Sequence, residues 1–159
     1  MAEFYLDTSA LLKRYRTEAG TDFVREPFDS RRPNDRIVTS TFTLLEATVL
    51  ARLAKGRVIR RRSYDSLMSR LYVDAEADLV VANIDDATLS DATRLAIKHA
   101  LTAGDAIQLA TATKLASSLA EDFTMITADD ELVTAALSEG LTCLNPNADS
   151  SLESLRALR

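Results

Sequence analysis

Apolar residues along the chain fall into short runs and longer spaced stripes that alternate from one end to the other. Glu3-Phe-Tyr-Leu6 is a brief β-prone run that stops at Asp7, and helix formers from Ala10 to Tyr15 follow it. This is the pattern of a strand feeding a helix, with Asp7 at the strand's carboxyl end. A short helix is expected over Thr21–Phe28, then a polar loop, Asp29–Asp35, carrying Pro33. Arg36-Ile-Val-Thr39 reads as a second strand. Ser40 or Thr41 offers an N-cap for a helix reaching Lys55, with Gly56 suited to the position past its end. Val58–Ala77 reads as a longer helix with Tyr64, Leu67 and Leu71 on one face. Leu79-Val-Val-Ala-Asn-Ile84 is the clearest strand. Asp85 or Asp86 caps a helix running to Ala100, and Thr102 caps the next, through Ala106, Ile107, Leu109, Ala110 and Leu115. Phe123–Thr127 is a further strand, Asp129–Ser138 a helix ended by Gly140, and Leu141–Leu144 a last strand.

Strands separated by helices imply right-handed crossovers. The expected class is therefore α/β, a mostly parallel central sheet flanked by helices on both faces. Residues 1–145 are expected to form one domain, and 146–159 a polar C-terminal tail whose Leu152–Leu158 stretch has the spacing of a short helix. Composition agrees: 159 residues, 47% hydrophobic and 27% charged, suit one globular domain. The lone Cys143 excludes an intramolecular disulfide framework and a Cys-rich zinc site, and the lone His99 excludes a His-rich one. No apolar run nears the ~20 residues of a membrane span, and the first residues do not read as a signal peptide, so a cytoplasmic location is expected. Charge is lopsided. Residues 1–72 hold 14 Lys+Arg against 9 Asp+Glu, while residues 73–159 hold 5 against 15. A basic half joined to an acidic half leaves nucleic acid open as a partner.

The acids then decide the chemistry. In an open α/β sheet, ligands collect outside the carboxyl ends of the strands. Asp7 and Asp129 fall at such ends, while Glu46 and Asp105 lie near the starts of helices. Singly, each has a plain structural explanation: a turn, a helix cap, a solvated face or a macrodipole partner. Together they form a set of like charges that stays ionised only around a cation. Oxygen ligands without Cys or His select Mg²⁺ or Mn²⁺ over zinc. Such an ion on carboxylates suits phosphoryl chemistry.

In four places the sequence resembles PIN-domain nucleases, in particular the VapC-type ribonuclease toxins of toxin–antitoxin pairs. Leu6-Asp7-Thr8-Ser9-Ala10-Leu11-Leu12-Lys13 resembles the family's opening motif, and Glu46 in Thr43-Leu-Leu-Glu-Ala47 its second acid. Gly104-Asp105-Ala-Ile-Gln-Leu-Ala-Thr-Ala112 is similar to the third, and Ile126-Thr127-Ala128-Asp129 to the Thr-x-Asp at a strand end. Order and spacing agree over residues 3–144. The resemblance implies a three-layer α/β/α domain and a metal-dependent endoribonuclease. Asp7, Glu46 and Asp105 would form the core metal site, with Asp129 ligating directly or through water and Asp130 as second choice. Ser9 and Thr127 would fix carboxylates or a metal-bound water. It also implies an RNA substrate, products with 5′-phosphate and 3′-hydroxyl ends, a homodimer, and silencing by a small antitoxin.

RNA binding needs positive charge, and Arg52, Lys55, Arg57, Arg60, Arg61 and Arg62 concentrate it within eleven positions. His99 is expected near a helix C-terminus, away from the chemistry, and Cys143 as buried filler. Leu44, Leu50, Leu53, Leu67 and Leu71 are assigned to core or a dimer surface. The rival reading is a catalytically silent PIN-like interaction module. Phosphotransfer ranks lower, because Ser9 stands where a haloacid-dehalogenase-like phosphatase wants a second acid.

Overall fold

The computed structural model describes residues 2–30, 32–33, 35–55, 61–118 and 122–159, and side chains from position 50 to 64 lie outside that description. Among those residues five strands, β1 (Glu3–Leu6), β2 (Arg36–Ser40), β3 (Leu79–Ala82), β4 (Phe123–Ile126) and β5 (Thr142–Leu144), form one sheet in the order β3-β2-β1-β4-β5. Every pairing is parallel, with Tyr5 opposite Val38 and Leu6 opposite Ile126.

Among the described residues, eight helices cover the sheet: α1 (Thr8–Leu11, tightening into a 3-10 turn at Leu12–Tyr15), α2 (Thr21–Asp29), α3 (Thr41–Lys55), α4 (Arg61–Ala77), α5 (Asp86–His99), α6 (Ala103–Ser118), α7 (Asp130–Ser138) and α8 (Ser151–Ala157). The strands' period of two divides the core. Phe4, Leu6, Ile37 and Ile126 pack on one face against Leu11 of α1, Phe23 of α2, Ala47 of α3, Leu67 and Leu71 of α4, and Leu155 of α8. Tyr5, Val38 and Met125 pack on the other against Leu95 of α5, Leu109 of α6 and Leu132 of α7. Sheets buried on both faces carry continuous apolar runs, as β1 does. Leu67 and Leu71 thus belong to the core and not to a dimer surface.

The elements follow the expected order, with shifts at their ends. Strand β3 stops at Ala82, two positions before Ile84, because Asp85 turns out to cap α5 through the Thr88 amide. The first helix begins at Thr8 because Asp7 caps it at the Ala10 amide. Ser40 caps α3 through the Thr43 amide. No helix among the described residues is long and apolar enough to cross a membrane.

The topology selects one place on this sheet. Right-handed crossovers from β1 to β2 to β3 put α1–α4 on one face, and those through β4 to β5 put α5–α7 on the other. Strand order reverses between β1 and β4, so the chains leaving these two neighbours diverge to opposite faces. Divergence of this kind is what forms a crevice at the carboxyl ends of two strands, the switch point where α/β sheets hold ligands.

Candidate active site

Asp7 stands at the edge of that crevice. Its amide donates to the Ile126 carbonyl of β4, and its side chain, only 4% exposed, caps α1. Oδ1 accepts from the Ala10 amide at 2.8 Å and Oδ2 from the Thr127 hydroxyl at 2.8 Å, while Ser9 Oγ lies 2.9 and 3.0 Å from the two oxygens. Both hydroxyls are themselves aimed by the β4–α7 turn. The Ala128 amide donates to Ser9 Oγ and the Asp129 amide to Thr127 Oγ1, which leaves each hydroxyl's single proton for Asp7. Of the two roles anticipated for Ser9 and Thr127, the geometry has them fixing a carboxylate. Burial nevertheless lifts the Asp7 carboxyl to about 6; the three donors pull it down, and the nearby charge of Glu46 pushes it further up.

Glu46 projects from α3, half-buried. Its Oε2 accepts from the Thr8 hydroxyl, and its Oε1 lies 3.0 Å from where a Cβ on Gly104 would stand. That places Glu46 beside the N-terminus of α6 and next in chain to Asp105. Asp105 forms a reciprocal cap with Thr102: its amide donates to the Thr102 hydroxyl at 3.3 Å, and its Oδ2 accepts from that hydroxyl at 2.6 Å. Asp129 caps α7, with Oδ1 accepting from the Glu131 and Leu132 amides. Asp130 is exposed and turned away, its Oδ1 taking the Asn145 amide.

The carboxyl end of the sheet thus gathers Asp7 and Glu46, with Asp105 and Asp129 on adjoining helix starts. The donors are all hard oxygens, the kind a Mg²⁺-sized ion takes. Among the described residues no ion pair reaches any of the four acids. Nor, among those residues, do three Asp, Glu, His or Cys side chains stand close enough to share one ion. The donor set fits a divalent cation in its chemistry, while among the described residues the acids are not drawn together into one closed cage.

Three residues essential to this arrangement have no role in the sequence reading: Thr8, Gln108 and Tyr5. Gln108 Nε2 donates to Thr8 Oγ1, and Tyr5 donates to Gln108 Oε1. A signal for Gln108 existed, because an amide three residues past Asp105 in an Ala/Leu run must be buried and so must find partners. Of the basic cluster, Arg57 and Arg60 lie outside the described residues, as do the side chains of Arg52, Lys55, Arg61 and Arg62. His99 pairs with Glu139 at 2.5 Å, away from the four acids. Cys143 is buried on β5, its thiol pushed up to about 12 by burial and then by the charge of Asp7.

Comparison with known proteins decides the family. The model of the PIN domain matches residues 4–137. The chain belongs to the PIN-domain family. Its fold is similar to those of several solved proteins. VapBC2 of Rickettsia felis, solved bound to a DNA fragment from its promoter, gives a TM-score of 0.66 at 13% identity, covering 90% of this chain and 98% of that one. VapC20 of Mycobacterium tuberculosis, a sarcin–ricin loop cleaving toxin, gives 0.62 at 15% identity over 83% and 94%. FitAcB of Neisseria gonorrhoeae gives 0.60 at 16% identity over 90% and 97%. No curated protein matches the chain. PIN domains are nucleases as a family, and the four acids of this one lie at the end of the sheet where α/β proteins bind ligands.

Proposed function

We propose that this PIN domain is a Mg²⁺- or Mn²⁺-dependent endoribonuclease and the toxin of a toxin–antitoxin pair. The observation that carries the reading is the state of Asp7: a buried carboxylate held by three neutral donors beside a second acid, with no cationic partner among the described residues. A fold that buries such a charge and does not pair it internally is built to receive a cation. Asp7, Glu46 and Asp105 would hold the ion, with Asp129 at the margin. When bound, the ion polarises the scissile phosphate and supplies a nucleophile from water at neutral pH.

The chain's own part is orientation. Ala10, Ser9 and Thr127 fix both oxygens of Asp7, and Thr8 fixes one oxygen of Glu46. Pre-orientation of this kind lowers the reorganisation needed at reaction. In the hydrolysis a water oxygen bonds to phosphorus, the bond to the 3′ oxygen breaks, and that oxygen takes a proton. The products carry 5′-phosphate and 3′-hydroxyl ends. The basic segment from Arg52 to Arg62 would track the RNA backbone. The partners are an RNA substrate, a second copy of the chain and a small antitoxin, all in the cytoplasm; the toxin–antitoxin complexes among its structural neighbours support the last.

One observation favours a second reading, a catalytically silent module: Asp105 is engaged by Thr102, and no three acids meet among the described residues. Incubating partner-free protein with total RNA, with Mg²⁺, Mn²⁺ or EDTA, beside Asp105→Ala, separates the two. Metal-dependent fragments with 5′-phosphate ends, absent from the variant, are expected. Metal binding without cleavage would leave the silent module standing.

A further inference from the structure

A polar relay runs from the core of the sheet to the acidic crevice. It crosses four elements: Tyr5 on β1, Gln108 on α6, Thr8 on α1 and Glu46 on α3. Tyr5, Gln108 and Thr8 are 0%, 2% and 4% exposed, so none of them can exchange its partner for bulk water. Proton accounting gives the relay one direction. Tyr5 Oη lies 2.5 Å from Gln108 Oε1, which carries no proton, so the phenol donates. That contact sets the amide's orientation and turns Nε2 toward Thr8 Oγ1 at 3.0 Å and Thr43 Oγ1 at 3.1 Å, where its two protons go. Thr8, having accepted from the amide, has one proton left, and Glu46 Oε2 receives it.

We propose that Gln108 is a positioning residue for Glu46, acting through the Thr8 hydroxyl, with Tyr5 setting the orientation of its amide. The inference rests on the nuclease reading of the crevice and adds residues to it that do not touch the reacting atoms. Glu46 is held from two sides. Thr8 fixes one oxygen, and the other occupies the space beside Gly104 that any larger residue's Cβ would crowd, at 3.0 Å. A long side chain on a half-exposed helix face would otherwise sample several rotamers, and ordering it at reaction would cost rate. A purely structural relay would satisfy the same buried groups in either proton direction. A positioning relay works in one.

The test uses that difference. Gln108→Glu keeps shape and can still accept from Tyr5. Its second oxygen cannot donate when ionised, so the Thr8 proton turns toward position 108 and Glu46 loses its donor. Thr8→Val removes the same donor at equal size, and Thr8→Ser keeps it. For each variant, melting temperature, Mn²⁺ affinity by calorimetry, and kcat and KM on RNA are measured beside wild type. Thr8→Val and Gln108→Glu are expected to lose about tenfold to a hundredfold in Mn²⁺ affinity and in kcat, the usual scale for partners of metal ligands. Their KM for RNA should hold, and Thr8→Ser should retain wild-type affinity and kcat. A folded Thr8→Val with wild-type Mn²⁺ affinity and kcat overturns the inference even if Gln108→Glu does not fold. Wild-type protein that neither binds Mn²⁺ nor cleaves overturns the nuclease reading and this inference with it.

Discussion

The two ends of one sheet treat buried carboxylates in opposite ways. At the amino end, Glu3 is 3% exposed and meets Arg36 at 2.7 Å, while Asp35 is 5% exposed and meets Arg159 at 2.7 Å. At the carboxyl end, Asp7 is equally buried and, among the described residues, meets only an amide and two hydroxyls. Neutral donors orient a carboxylate without cancelling its charge, whereas a guanidinium does both. At the amino end each of these two acids therefore has a cationic partner within the fold. On the proposed function, the carboxyl end is completed by a cation added at the switch-point crevice.

The largest effect should come from removing the uncompensated charge. Asp7→Asn keeps the shape of the cap but cannot hold a cation, and RNA cleavage should fall by about 10³-fold or more, the scale of losing a central catalytic group. Stability of the metal-free protein should move the other way. The folded chain holds the Asp7 proton up to about 6 while the unfolded chain releases it near 3.8. The folded state therefore binds more protons between those values, and wild-type stability falls as pH rises through that window. Asp7→Asn should remove this slope and gain on the order of 1–3 kcal/mol at neutral pH. Denaturant melts from pH 4 to 7 in EDTA check it, and a variant less stable than wild type at neutral pH would mean the charge is compensated internally after all.

The asymmetry between the ends was half legible in the sequence. Asp7 and Asp129 declare themselves because a strand's apolar run stops beside them, and the periodicity that marks β1 also marks its end. Glu46 and Asp105 could be placed on helix starts, but not aimed, since direction depends on which helix packs where. Strand order is set by pairings between distant residues, from Thr124 with Thr142 to Glu3 with Arg36 and Phe123, and no local pattern encodes them. The relay was invisible for the same reason: Thr8 meets a glutamate 38 positions away and an amide 100 away. The caps of α5 and α7, by contrast, are local: the sequence narrows the first to Asp85 or Asp86 and offers capping as the plain alternative for Asp129.

A second effect concerns charge brought from outside the crevice. Replacing Arg60, Arg61 and Arg62 together with Ala should weaken RNA binding about tenfold to a hundredfold at physiological salt and flatten its salt dependence by a slope of about 2. Mn²⁺ affinity should stay as it is, since the substitutions leave the acids untouched. Unaltered RNA binding at low salt would remove this segment from the interface. A smaller effect is expected at Gly104, where an added Cβ would sit 3.0 Å from Glu46 Oε1. Gly104→Ala should lower kcat about tenfold by shifting that carboxylate a few tenths of an ångström. The same change should raise stability by about 0.5–1 kcal/mol, because alanine favours a helix over glycine. Opposite signs in the two measurements would show that the glycine serves Glu46; a parallel loss in both would show ordinary overpacking.

The smallest effect on activity, none, is expected at the amino end, and there the comparison is most exposed to failure. Arg36→Ala leaves Glu3 buried without the Arg36 cation, and among the described residues the Glu3 Oε2 atom already has no hydrogen-bond partner. The Arg36 side chain is 42% exposed, so water screens part of the pair and the loss should be about 1–2 kcal/mol, short of a fully buried bridge. Glu3→Gln in the same background should recover most of it, because the amide needs no counter-charge. Cleavage rate and Mn²⁺ affinity should match wild type in both, measured well below the melting temperature. If Arg36→Ala slows cleavage while the fold holds, the two ends communicate through β1, and the division into a self-balanced end and a ligand-balanced end gives way to one coupled charge network.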